Sequence, residues 1–73
     1  EKQVSIYPNP TTDVATIDHL PSGAKVRLLD ISGRVLLQTT DSTIDMRGKR
    51  SGLYFIEIVS LGGESKKLKL IKR

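Results

Sequence analysis

Apolar residues along this chain recur with a period of two rather than 3.6, and polar turn residues interrupt them about every ten positions. Successive side chains of a strand point to opposite faces, so this alternation predicts half-buried β-strands. Seven runs carry it: residues 4–7, 14–19, 25–31, 34–40, 43–46, 53–60 and 65–72. They are rich in Val, Ile, Thr and Tyr, the side chains that suit a pleated surface. No window sustains the i, i+3, i+4, i+7 stripe of a helix. Short strands at such even spacing predict an all-β sandwich or barrel.

The turns support the same reading. Ser32-Gly33 reads as a two-residue hairpin connection, with Gly33 supplying the positive φ of a tight primed turn. Pro21-Ser22-Gly23 and Gly62-Gly63 mark two more corners, and "RGKRSG" (residues 47–52) reads as an exposed crossing between sheets. "IYPNPTTD" (residues 6–13) places Pro8, Asn9 and Pro10 between the first two strands. Each proline fixes its own φ and holds the preceding residue extended, so this is a stiff corner. Within 53–60, Tyr54, Ile56 and Ile58 share one face, and Leu53, Phe55, Glu57 and Val59 share the other. Both faces are largely apolar, which predicts a central strand. In the last strand Leu68 and Leu70 point inward while Lys67 and Lys69 point outward, as in an edge strand guarded by charge.

Composition narrows the function. Seventy-three residues make one domain with a thin stability margin. No apolar run is long enough to span a bilayer as a helix, and no signal-peptide pattern opens the chain. A first residue other than methionine suits a piece of a longer protein, with residues 1–3 read as the end of a linker to an upstream cargo domain. The chain has no cysteine and one histidine, His19, so thiolate sites and histidine-rich metal clusters are excluded, and His19 reads as a solvated residue at a strand end. No nucleophile elbow, phosphate-binding loop or calcium loop is present, and the expectation is a non-catalytic domain without cofactor. The net charge is +4, but Lys66, Lys67, Lys69, Lys72 and Arg73 hold the excess within the last eight residues. Only Tyr7, Tyr54 and Phe55 are aromatic, and the adjacent pair points to opposite faces. They cannot form a stacking platform, so nucleic acid is not the expected partner.

Three segments in order, "YPNPTTD", "VRLLDISGRVL" and "SGLYFIEIVSLGGESKKLKLIKR", resemble the C-terminal sorting domain of the type IX (Por) secretion system in its type A form. The resemblance runs from Val4 to Arg73. It matches the family's opening signature to Pro8, Asn9 and Pro10, its hairpin to Asp30, Gly33 and Arg34, and its glycine-x-tyrosine motif to Gly52 and Tyr54. Its terminal strand matches Lys67, Leu68, Lys69, Leu70, Ile71, Lys72 and Arg73, with the paired Lys72-Arg73 ending departing from the commoner pattern. The resemblance implies a seven-stranded immunoglobulin-like β-sandwich that takes a cargo from the periplasm across the outer membrane to the cell surface or medium. Its partners would be the outer-membrane translocon and shuttle proteins, a surface sortase that removes the domain, and the cargo in the same chain. An exposed edge also leaves room for weak homodimerisation by strand exchange. The competing reading is an accessory immunoglobulin-like module of a secreted protein that binds carbohydrate or protein. A sugar-binding module would show exposed aromatic rings.

Overall fold

The alternation folds as it reads. The computed structural model describes residues 3–73, so residues 1–2 of the predicted linker lie outside the described residues. Seven strands form: β1 (Ser5–Tyr7), β2 (Val14–Asp18), β3 (Lys25–Leu29), β4 (Val35–Thr39), β5 (Thr43–Asp45), β6 (Gly52–Val59) and β7 (Ser65–Lys72). They pair antiparallel in two sheets, one ordered β1-β2-β5 and the other β4-β3-β6-β7. The chain is an all-β, seven-stranded immunoglobulin-like sandwich. Residues between β5 and β6 cross from one sheet to the other, where "RGKRSG" was expected to do so.

Inward side chains of both sheets meet in one core. Ala15, Ile17 and Ile44 come from the three-stranded sheet, and Val26, Leu28, Tyr54, Ile56, Ile58 and Leu70 from the four-stranded one, with Ala24 and Met46 closing the ends. β6 lies between β3 and β7, so it is the central strand its two apolar faces predict. Leu70 is fully buried and Leu68 packs partly against the core, both inward as read.

Several strands stop short of the predicted limits. Ile31, Thr40 and Met46 lie beyond the pairing, and His19 takes a left-handed φ of 62° just after β2.

The β3–β4 hairpin corrects the expectation of a two-residue turn. The Asp30 amide donates to the Arg34 carbonyl, and the Gly33 amide donates to the Asp30 carbonyl, both at 3.0 Å, so the loop comprises residues 31–33. The reason is the Asp30 side chain. Its Oδ1 accepts from the Ser32 amide, the Ser32 hydroxyl and the Arg34 amide at 2.9, 2.6 and 3.0 Å. Such an Asx-type cap favours the longer turn followed by a left-handed residue. Gly33 fills that position at φ 89°. The register then shifts between Leu28 and Leu29, so that Leu29 faces Val35 and Leu36 is the extra residue.

Candidate functional site

The proline corner and the terminal strand, at opposite ends of the sequence, form one unit. The Asn9 carboxamide works as a short piece of β-ladder. Its Nδ2 donates to the Lys69 carbonyl at 2.8 Å, and its Oδ1 accepts from the Ile71 amide at 3.0 Å. Thr11 extends the pairing: its amide donates to the Ile71 carbonyl at 2.8 Å and its carbonyl accepts from the Arg73 amide at 2.9 Å. Thr11 and Lys72 register as a parallel bridge. Pro8 and Pro10 flank Asn9, and both their preceding peptide bonds are cis. A stiff corner on either side presents the carboxamide at one angle.

β7 is therefore an edge strand with half its edge closed. Backbone groups of successive residues alternate between the two sides of a strand. The Lys69 carbonyl, both Ile71 groups and the Arg73 amide are spent on Asn9 and Thr11, and the outward groups from Ser65 to the Lys69 amide remain without a strand partner among the described residues. Thr11 escaped the sequence reading. It is the one fully buried polar residue among the described residues, and its hydroxyl donates to the Val14 carbonyl at 3.2 Å. The only signal was its place after the second proline.

Replacing Asn9 by alanine removes both side-chain bonds at a solvent-facing site. The expected cost is about 1 kcal/mol. Exchange of the Ile71 amide should accelerate about fivefold, the factor to which a cost of that size corresponds. Unchanged protection of Ile71 in a hydrogen-exchange measurement would show that the carboxamide does not hold the strand.

The second pair of signatures also converges. A shallow cleft of about 570 Å³ at one end of the sandwich is lined by Asp30, Arg34, Leu36, Arg50, Gly52 and Tyr54, which joins the hairpin motif to the glycine-x-tyrosine motif. The Ser32 hydroxyl bonded to Asp30 holds its carboxyl below the ordinary carboxylate value, with the backbone amides and the Arg34 guanidinium at 3.4 Å adding to the effect. Tyr54 is buried, and its hydroxyl donates to the Arg50 carbonyl at 2.7 Å. A tyrosine at the start of this strand, bonded back to the corner before it, is the tyrosine corner of immunoglobulin-like sandwiches. Gly52, at φ 147°, lets the chain enter β6 at that corner.

Asp45 is the most shifted carboxyl. The Arg47 guanidinium, bonded to it at 2.9 Å, and the Arg47 amide lower it to about 2. This pair lies at the end of β5 and includes no signature residue.

The terminal lysines stand outside the core. Lys66, Lys67 and Lys69 are exposed, while Lys72 is half-buried beneath Thr11 and its ammonium donates to the Arg73 carbonyl. Among the described residues no group of three or more acidic or histidine side chains is placed to hold a metal ion.

The family described as "Secretion system C-terminal sorting domain" matches residues 5–73. Beta-agarase D of Zobellia galactanivorans is 31% identical over 72 residues, which is 96% of this chain and 15% of that protein. PorZ, an essential surface component of the type IX secretion system of Porphyromonas gingivalis, superposes with a TM-score of 0.81 at 28% identity, over 96% of this chain and 11% of PorZ. The chain thus spans a small part of each relative, and its match to the family runs from the first strand through Arg73. It belongs to the C-terminal sorting domains of the type IX secretion system.

Proposed function

We propose that this domain is the address that takes a cargo protein, joined upstream of residue 1, from the periplasm across the outer membrane. The translocon and its shuttle proteins read the folded label, and a surface sortase then removes it. The observation that carries the reading is the Asn9 clasp. It ties the opening signature to the terminal strand across more than sixty residues of sequence, so the label is offered only as a folded whole. A rigid epitope loses little conformational entropy on capture. Membership of the sorting family and likeness to a surface component of the same apparatus support this reading.

A transplant tests it. A fluorescent reporter with a periplasmic signal peptide is fused ahead of residues 1–73 and expressed in a bacterium with an intact type IX system and in the same strain lacking it. Fluorescence at the surface or in the medium of the intact strain alone is the expected result, with loss of the domain's mass marking sortase removal. Retention in the periplasm of both strains, with the domain folded, would overturn the proposal in favour of an accessory sandwich.

A further inference from the structure

The two sheets differ on their outer faces. On the outward side of the three-stranded sheet the polar Thr16, Asp18, Thr43 and Asp45 separate two exposed apolar side chains, Tyr7 and Val14. Alternation of apolar inside with polar outside is what a solvated antiparallel sheet shows. The four-stranded sheet follows the rule over only half its length. One row across it reads Gln38, Arg27, Glu57 and Lys67. Arg27 lies 3.2 Å from Gln38 and 3.4 Å from Glu57, so that half is a polar network. The next row reads Val35, Leu29, Phe55 and Lys69, and Leu53 faces Ile71 beyond it. Cross-strand neighbours lie about 5 Å apart, so these side chains form one contiguous apolar patch.

The patch is open to solvent around its margin, while Leu29 is buried and Phe55 half-buried at its middle. Val35 is 48% exposed, Ile71 44% and Leu53 38%, and Ile31 stands above it at 75%. An exposed apolar patch with a polar rim marks an interaction surface. The charges on that rim are of one sign. Glu57 is engaged by Arg27, and Asp30 is held inside its own hairpin. Among the described residues Lys67 and Lys69 make no ion pair.

We propose that the apolar half of the outer face of the four-stranded sheet, centred on Leu53, Phe55 and Ile71 and edged by Lys67 and Lys69, is the docking surface for the secretion machinery, and that the partner meets it with an apolar surface bordered by carboxylates. This rests on the sorting reading above and says how the label is read: face-on. The alternative, a partner strand added along β7, meets the Asn9 clasp over residues 69–73. A second copy of the chain is not the occupant, since two such faces would bring the lysine rims together. Like charges at a contact cost affinity, whereas carboxylates opposite the lysines speed and orient the encounter.

The reporter fusion tests this with three variants in the intact strain. Leu53→Ser/Ile71→Ser alters exposed positions and is expected to cut transport at least about tenfold, as loss of central contacts does. Lys67→Glu/Lys69→Glu is expected to do the same without touching the core, while Lys67→Arg/Lys69→Arg keeps transport. Val14→Ser, on the opposite sheet, serves as the control and leaves transport unchanged. Folding of each purified variant is checked by its circular-dichroism melt. Transport of both the serine and the glutamate variants within twofold of the parent would overturn the proposal while the sorting reading stands. If the parent itself stays in the periplasm, the sorting reading falls and this one with it. Dimerisation of the parent that the serine variant abolishes, seen by sedimentation, would also overturn it, because the occupant would then be a second copy.

Discussion

A chain ending at Lys67 is expected to show no cooperative melt at 25 °C or above. The shortening removes fully buried Leu70, the packing of Leu68 and the strand that faces β6 from Gly52 to Ile56. Truncating one buried leucine to alanine costs about 2–5 kcal/mol. A small domain holds only about 5–15 kcal/mol in all. Loss of most of β7 and of the Asn9 and Thr11 bonds exceeds the margin of so short a chain. Circular dichroism checks it: a sigmoidal melt near that of the parent would show that β7 is an appendage rather than a wall of the core. Retention of cargo after such a truncation reports unfolding as much as lost recognition. Exposed-face substitutions separate the two.

The second large effect is expected at Tyr54. Tyr54→Ala should lower the unfolding free energy by about 3–5 kcal/mol, the range for emptying a buried aromatic site. The ring lies in the core, and its hydroxyl serves the Arg50 carbonyl at the crossing between sheets. Tyr54→Phe keeps the ring and loses only that bond, which is worth about 1–1.5 kcal/mol. Urea denaturation of both variants measures the split. Equal losses would place the whole role in the hydroxyl, and an alanine cost below about 1 kcal/mol would show that the site collapses around the gap. The tyrosine signature then belongs to the corner between β5 and β6.

Strands and their faces were legible because both sheets obey the two-residue period: Tyr54, Ile56 and Ile58 point inward as their spacing dictates. Loop detail was less so. "DISGR" reads as a two-residue turn until the Asp30 carboxylate is seen gathering three donors, and that choice also turns Val35 outward. The Asn9 clasp had no local trace. A carboxamide can bond to any free backbone, and its partners lie at sequence separations of 60 and 62. Thr11 is buried for the same reason, since its cover is the far end of the chain. The apolar outer patch was written in Leu53 and Phe55, but these read as marks of a central strand. Only the register, which sets Leu29, Val35 and Ile71 beside them, makes them a surface.

The bond between the Arg73 amide and the Thr11 carbonyl has a consequence in time. During synthesis residue 11 emerges long before residue 73, so the sandwich cannot close until the segment through Arg73 is released. Pairings between distant parts of a chain form late and slowly. A polypeptide halted before this point would leave Asn9 and Thr11 without their strand partners. The clasp thus makes closure of the sandwich wait on its last strand, however early its first corner is ready.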